Sequence, residues 1–251
     1  MPDIPKVIHY CWFGRKPLPP LALRCIASWR KHMPDHEIKE WNEDNFDVNM
    51  IPYTRQAYAA RKYAFVSDVA RFWILYHYGG VYFDTDVEVL KPLTPLLDRG
   101  PFMGVENMVS LSTDQLKVAP GLGMACEAGM PVIRQFMEMY NNLEFSMQEN
   151  GKFMTVVDFV SRSLNRVGLK HVNEVQQVAG MTIYPADYFA ARKTAVCNIP
   201  RTENSYTVHH YAGSWYPWHI KLKLKIARLL GTSLSKIVVS LKREVLRGPK
   251  S

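Results

Sequence analysis

The stretch GGVYFDTD, residues 79–86, is the most informative part of this chain for both fold and chemistry. Its apolar run, residues 81–83, predicts a buried strand, which a glycine pair introduces and Asp84 and Asp86 follow at once. Carboxylates at positions i and i+2 of an extended strand point to the same face. At a strand end, such a pair can hold a hard divalent cation and leave coordination positions open for phosphate oxygens. Taken alone, the same pattern also fits two solvated acids in a turn.

Outward from this stretch, predicted strands and helices alternate along the chain. Strands are predicted over residues 4–12, 36–41, 101–105 and 206–210, and helices over 21–31, 65–78, 131–140 and 153–167. This alternation predicts an α/β fold with a largely parallel central sheet. In such sheets, ligands bind beyond the carboxyl ends of the strands, which is where Asp84 and Asp86 are expected.

Composition narrows the class of protein. The 251 residues allow one large domain or two small ones, and the 47% hydrophobic content is typical of a globular core. The four cysteines form no C-x-x-C pair, so we expect unpaired thiols in a reducing compartment. The amino-terminal segment lacks the apolar core of a signal peptide, and no apolar run reaches the roughly 18 residues of a membrane span. These features predict a cytoplasmic protein.

The net charge of +8 is concentrated in residues 221–251, which hold nine basic residues and one acid. We therefore divide the chain into a catalytic-type domain, residues 1–220, and a basic tail, residues 221–251. Because the domain itself is neutral, we expect no nucleic-acid partner. The tail has apolar residues at helical spacing, namely Leu234, Ile237, Val238, Leu241 and Val245. It predicts a helix that either lies on an anionic membrane surface or docks on the domain.

Two further groups of residues suggest a binding site. Asp68 and Arg71 lie at i and i+3 of the predicted helix, so they share a face and form either a local ion pair or a contact to a sugar or diphosphate. His209 and His210 lie on a predicted strand and point to opposite faces, so one fits a metal and the other a structural role. We favour His210 as the ligand, because it lies closer to the glycine turn that follows.

Three other positions complete the set of candidates. Ser214 and Trp215 follow that turn and provide hydroxyl and indole donors suited to a phosphate. Trp12 follows the first predicted strand and is either a core residue or an aromatic that stacks on a base.

Four segments, in this order, resemble the bacterial capsular-polysaccharide-type members of glycosyltransferase family 32, a D-x-D sugar-binding family. The segments are IPKVIHYCWFG (4–14), AFVSDVAR (64–71), YHYGGVYFDTDVEVL (76–90) and TENSYTVHHYAGSW (202–215). The likeness extends from about residue 4 to residue 218, and the combination of motifs is more specific than any one of them. The family is distantly similar to the clostridial glucosylating toxins.

The resemblance implies a GT-A fold, a Mn²⁺ or Mg²⁺ ion, a UDP- or GDP-linked sugar donor, and retention of configuration at the anomeric carbon. By position, it implies donor-binding roles for Trp12, Ser67, Asp68, Arg71, Asp84, Ser214 and Trp215. It implies metal-binding roles for Asp84, Asp86, His209 and His210, and catalytic roles for Asp86 and Arg71. Glu106 is our candidate for a base on the acceptor side.

The prediction is thus a retaining, metal-dependent glycosyltransferase. It would act on a cell-surface glycan precursor, free or lipid-linked, at the inner face of the cell membrane. Two other classes remain open. A metal-dependent phosphohydrolase or nuclease could use the same acids without a sugar donor. A non-catalytic glycan- or membrane-binding protein would bind no nucleotide sugar.

Overall fold

A seven-stranded sheet lies at the centre of this computed structural model, which describes residues 3–107, 115–145, 154–193 and 198–213. In chain order the elements are β1 (Val7–Cys11), α1 (Pro20–His32), β2 (Glu37–Trp41), α2 (Pro52–Ala59), α3 (Tyr63–Tyr78), β3 (Gly80–Tyr82), β4 (Val87–Val89), α4 (Thr94–Leu97), β5 (Phe102–Gly104), β6 (Met124–Cys126), α5 (Pro131–Glu138), α6 (Val156–Arg166), β7 (Gln176–Val178), β8 (Met181–Tyr184), α7 (Ala186–Phe189), β9 (Arg192–Lys193), β10 (Asn198–Ile199) and β11 (Thr207–His209). A 3-10 turn, Pro120–Leu122, precedes β6.

The sheet has the order β2-β1-β3-β6-β5-β8-β7, and most of its strands run in one direction. β1 pairs in parallel with β2 and β3, and β5 pairs in parallel with β8. β6 runs antiparallel between β3 and β5, and β7 runs antiparallel beside β8. The predicted α/β class with a largely parallel sheet is therefore confirmed.

Local sequence accounts for the bounds of the helices. α1 begins at Pro20, whose fixed φ suits a first helical turn, and it buries Ile26 and Trp29 against the sheet. α3 ends at Gly79, which has a φ of 63° that a side chain would disfavour. α6 begins with a capping box at Thr155. These starts and stops explain why the strongly periodic helices fall within a few residues of their predicted positions.

Side chains of the central strands alternate between two apolar cores. On β1, Ile8 and Tyr10 point into the core that contains α1, whereas Cys11 points into the core that contains α3, α5 and α6. On β3, Val81 joins the first core and Tyr82 the second. This alternation places α3 on the same face of the sheet as Tyr82, and it thereby brings the middle of α3 against the end of β3.

The acid pair does not continue the strand, which corrects one expectation. β3 ends at Tyr82, and Asp84 and Asp86 lie in a turn in which the Val87 N–H donates to the Asp84 carbonyl at 3.1 Å. After this turn β4 leaves the central sheet and pairs antiparallel with β11. The two carboxylates therefore do not share one face of an extended strand, and each has its own surroundings.

The basic tail and several site candidates lie outside the described residues. These are residues 221–251, together with Ser214 and Trp215, so the predictions made for them stay predictions. No helix in the described part of the chain is long and apolar enough to span a bilayer. Cys11, Cys25 and Cys126 are free and buried, as expected for unpaired thiols.

Candidate functional site

Asp84 is held by a buried arginine from the helix before it. The Arg71 side chain is only 4% exposed, and its Nη2 lies 3.3 Å from Asp84 Oδ1 and 2.8 Å from Asp68 Oδ1. The guanidinium carbon lies 5.0 Å from the centre of the Tyr82 ring, and the Tyr82 hydroxyl donates to Asp84 Oδ1 at 3.2 Å. The predicted ion pair between Asp68 and Arg71 is therefore present, and it extends to the first acid of the D-x-D stretch.

Burial sets the charges in this cluster. Burial raises the pKa of Asp68 to about 7; the Arg71 guanidinium opposes this rise and the Asp84 carboxylate adds to it. Burial alone would lower the pKa of Arg71, but the Asp84 carboxylate, Tyr82 and Asp68 raise it. Arg71 therefore remains a cation, and its Nε donates to the Ser67 carbonyl at 3.1 Å, which fixes the plane of the guanidinium.

The 3-10 turn before β6 forms a second wall around Asp84, and sequence analysis did not find it. The Asp84 N–H donates to the Gly121 carbonyl at 3.0 Å. A Cβ atom on Gly121 would lie only 1.9 Å from Asp84 Oδ2 and 3.0 Å from Arg71 Nη1. Gly121 is therefore part of the site. A single glycine between a proline and a leucine is too common a pattern to have signalled this.

Asp86 is held by the last described residues of the chain. His209 Nε2 lies 2.9 Å from Asp86 Oδ1, and the Ala212 N–H donates to Asp86 Oδ2 at 2.7 Å. The His210 N–H donates to the Asp86 carbonyl at 2.9 Å. Burial would raise the pKa of Asp86, but the contact with His209 and the Ala212 N–H outweigh it and lower the pKa. Asp86 is therefore ionised at neutral pH.

The side chain of His210, the histidine favoured as a metal ligand, turns away from the acid pair. Its Nε2 lies 2.9 Å from Glu88 Oε2, and both side chains are partly exposed. The pairing of β11 with β4 brings His209 to Asp86 instead. The two rings diverge as expected, but the structure places His209, and not His210, beside an acid of the pair.

Trp12 lies at one wall of a pocket beyond the carboxyl ends of β1 and β2. The pocket has a volume of about 290 Å³. Its lining consists of Trp12, Arg15, Lys16, Pro17, Glu40, Asn42, Glu43 and Asp44. The indole Nε1 donates to the Lys16 carbonyl at 2.5 Å, which fixes the ring. Trp12 therefore lines this pocket and also packs, partly buried, against the core that contains α1.

Two other candidates are not joined to the acids by a contact within the described residues. The Ser67 hydroxyl donates to the Tyr63 carbonyl of its own helix at 3.2 Å. Glu106 follows β5, and its N–H donates to the Lys117 carbonyl at 2.8 Å. Glu106 thus lies near the carboxyl edge of the sheet, but no hydrogen bond or ion pair within the described ranges links it to Asp84 or Asp86.

The acid pair offers a small set of oxygen ligands for a cation. In the described part of the chain, no group of three or more His, Cys, Asp or Glu side chains gathers at one point. Mg²⁺ is commonly bound by one or two carboxylates, with waters and substrate phosphates in the other positions. The Tyr82 hydroxyl and Arg71 both lie against Oδ1 of Asp84, and Oδ2 lies against Gly121. Two carboxylates from the protein are therefore enough for a hard divalent ion only when a phosphate-bearing ligand and waters fill the other positions.

Comparison with protein families agrees with this location of the site. Residues 19–103 match the family model described as a glycosyltransferase sugar-binding region containing a DXD motif. The matched range includes Asp68, Arg71, Asp84 and Asp86. It does not include Gly121 or the histidines on and after β11. The match thus supports the resemblance to this family for the part of the site formed by α3 and by the turn that contains Asp84 and Asp86.

Two characterised relatives come from Schizosaccharomyces pombe. Inositol phosphoceramide mannosyltransferase 1 is 32% identical over 114 residues, which are 41% of this chain and 34% of that protein. Inositol phosphoceramide mannosyltransferase 3 is 34% identical over 122 residues, which are 47% of this chain and 34% of that protein. The chain therefore spans about a third of the length of the relatives it matches.

Among solved structures, the PaToxG glycosyltransferase is similar to 65% of this chain. It is 19% identical, with a TM-score of 0.46, and 69% of its own chain is covered. A similarity of this size carries no conclusion about substrates or activity.

Proposed function

We propose that this protein is a glycosyltransferase of GT-A type that moves a sugar from a UDP- or GDP-linked donor to a hydroxyl acceptor. The observation that carries the proposal is the D-x-D pair held from two sides. Arg71 and Asp68 lie against Asp84, and His209 lies against Asp86. This arrangement lies beyond β3, at the edge of the sheet where α/β proteins bind phosphate-bearing ligands.

In the proposed reaction, the bond between the anomeric carbon and the diphosphate oxygen breaks, and the acceptor oxygen bonds to that carbon. The transition state is oxocarbenium-like, and the electron pair of the broken bond stays on the diphosphate. The diphosphate oxygen takes the acceptor proton. When bound, Mn²⁺ or Mg²⁺ would neutralise the charge that develops on the diphosphate. We infer that the acceptor attacks from the side the diphosphate leaves, so the anomeric configuration is retained.

The residues of the site have different proposed roles in this reaction. Asp84 and Asp86, the second of which is ionised, would hold the cation and with it the diphosphate. Asp68 accepts hydrogen bonds from a sugar hydroxyl. Arg71 is too deeply buried to reach a ligand in this conformation, so it keeps both carboxylates in place. Trp12 stacks on the base in the pocket beyond β1 and β2.

Roles for Ser214, Trp215 and Glu106 belong to the proposal as well. Ser214 and Trp215 donate to the diphosphate, and Glu106 assists the acceptor hydroxyl. The relatives are named inositol phosphoceramide mannosyltransferases. For this chain, we propose a glycan precursor for a capsule, O-antigen or similar polysaccharide, free or lipid-linked, as the acceptor.

The basic tail, residues 221–251, would hold the protein at the inner face of the cell membrane. Each basic residue near an anionic surface contributes about 1 kcal/mol before salt screening. Full-length protein should therefore sediment with anionic vesicles and be released by salt. Failure to sediment at low salt would contradict this part of the proposal and leave the transfer chemistry untouched.

A donor screen tests the transfer reaction. UDP- and GDP-sugars are added with Mn²⁺, and binding is followed by thermal shift and by release of the nucleoside diphosphate. We expect one donor to raise the melting temperature and to be turned over, and Asp84→Ala/Asp86→Ala to abolish both effects. NMR of the first product from an α-linked donor should show an α-linkage. Phosphate release from simple phosphoesters, without binding of any sugar donor, would indicate a phosphohydrolase instead.

A further inference from the structure

The 3-10 turn Pro120–Leu122 packs its middle residue directly against the acid turn. The Gly121 carbonyl accepts the Asp84 N–H at 3.0 Å. The turn leads into β6, which pairs with β3 in a register that sets Met124 opposite Tyr82. Gly121 itself is buried. Its position relative to Asp84 is therefore fixed both by a hydrogen bond and by the pairing of two central strands.

Backbone conformation does not require glycine at position 121. In the described part of the chain nine glycines have a positive φ, and Gly121 is not among them. Alanine could therefore adopt this backbone without the strain of the left-handed region. Space excludes a side chain instead. An ideal Cβ would lie 1.9 Å from Asp84 Oδ2, 2.7 Å from Asp84 Cγ and 3.0 Å from Arg71 Nη1.

The atom that occupies this space is the oxygen of Asp84 that the buried cluster leaves uncommitted. Oδ1 accepts the Tyr82 hydroxyl and faces Arg71. Oδ2 points towards the Cα of Gly121. Oδ1 is thus held by Tyr82 and Arg71, and Oδ2 lies in the space that a side chain at position 121 would fill. The direction in which Oδ2 points depends on there being no side chain at position 121.

We propose that Gly121 is a positioning residue for the transfer reaction. Its missing side chain lets the Asp84 carboxylate keep the orientation in which Oδ1 stays on Arg71 and Tyr82. A methyl group at this position would rotate the carboxylate or separate it from Arg71. A displacement of about 1 Å at a reacting centre lowers the rate by about 100-fold. The inference rests on the proposed function, but the contact between Gly121 and Asp84 exists without any ligand.

A double-mutant cycle on the full-length protein tests that contact without substrate. Gly121→Ala should lower the urea midpoint strongly when Asp84 is present, and much less in an Asp84→Ala background, where the removed carboxylate leaves room for the methyl group. Equal effects in the two backgrounds would overturn the proposal. If Gly121→Ala does not fold, rescue by Asp84→Ala supports the contact, and failure in both backgrounds overturns it.

Gly104→Ala is the matched control for the effect on rate. Gly104 lies on β5, also lacks a positive φ, and its Cβ would lie 2.8 Å from Phe189 in the core. Well below both melting temperatures, Gly121→Ala should lower kcat by about 100-fold, and Gly104→Ala should leave it within a few-fold of wild type. A kcat for Gly121→Ala as high as that of the control would refute the positioning role. If wild-type protein turns over no donor, the proposed function fails, whereas the stability cycle still decides the contact.

Discussion

The two acids of the D-x-D stretch lie two residues apart, yet different parts of the chain hold them. Asp84 is held by Arg71 on α3, the helix directly before its strand. Asp86 is held by His209 and Ala212, which lie 123 and 126 residues further along the chain. The comparison shows that the half of the site around Asp84 is encoded locally, because its partner Arg71 lies on the preceding helix and is always charged. The other half exists only once distant segments have come together.

The largest effect should come from the local half. Arg71→Met removes a buried cation and leaves Asp68 and Asp84 without compensation, so we expect a loss of about 3–5 kcal/mol in the free energy of unfolding. Urea denaturation measures it. The control is Arg134→Met, which breaks an exposed ion pair with Glu138 on α5 and should change the free energy of unfolding far less. Similar losses in the two variants would show that Arg71 is not the central support of this half.

Below neutral pH, the buried histidine His9 should make its own contribution to a loss of stability. His9 Nε2 donates to the Gly79 carbonyl and Nδ1 accepts from Trp41, so the ring is neutral, and burial lowers its pKa to about 4. The unfolded pKa is about 6.5, so between these values the unfolded state binds more protons and stability falls as the pH falls. The part of the loss that His9 causes should be about 3 kcal/mol from pH 7 to pH 4, and the raised pKa of Asp68 opposes it, because folded protein binds a proton at Asp68 first.

Comparison with His9→Gln checks this source of the pH dependence. The amide of glutamine does not titrate, so the variant should lose the part of the slope that His9 causes, although its stability at pH 7 will be lower. Urea unfolding at intervals of half a pH unit resolves the difference. An identical slope in both proteins would assign the acid sensitivity to other groups.

In the half of the site around Asp86, replacing His209 should lower stability and turnover, whereas replacing His210 should have little effect. His209→Ala removes a buried contact of Asp86 and should cost about 1–3 kcal/mol. His210→Ala removes only a partly exposed contact with Glu88 and should cost about 1 kcal/mol or less. Donor turnover should fall with His209→Ala alone. The reverse order in either measurement would restore His210 as the residue that supports the acid pair.

The smallest effect should be seen at Ser67. Its hydroxyl is bonded to the Tyr63 carbonyl within α3, so Ser67→Ala should change stability by about 0.5 kcal/mol or less and leave the donor KM unaltered. Steady-state kinetics with varied donor decides between the helix-internal role and the donor contact that the family resemblance implies. A tenfold rise in KM would show that the hydroxyl leaves the helix to bind donor.

The parts of the fold that sequence analysis found are those with strong local signals. α1 and α3 have long periodic apolar faces and clear ends, and β1 is buried along most of its length, whereas β2 is buried only at Trp41. β4 and β6, each of three residues, were not predicted. Their existence depends on partners, β11 for β4 and both β3 and β5 for β6, which the local sequence does not specify.

The site shows the same division. The spacing of Asp68 and Arg71 predicted a shared helix face and left the ion pair as one of two possible roles, because i and i+3 positions lie on the same side of a helix. The choice between His209 and His210 could not be made from their order, because it depends on the register of β11 against β4. Gly121 could not be found at all, because its role follows from which side chain fills the space above it. The amphipathic tail remains a prediction.

The pairing of β4 with β11 also determines when Asp86 can become restrained during synthesis of the chain. The ribosome delivers α3, β3 and Asp84 early, so the buried arginine cluster can assemble while most of the chain is still unmade. Asp86 must wait until residue 212 has been synthesised, and closure across so long a separation is slow compared with local folding. In a chain that is still being synthesised, or that ends early, Asp84 can therefore be restrained while Asp86 is not.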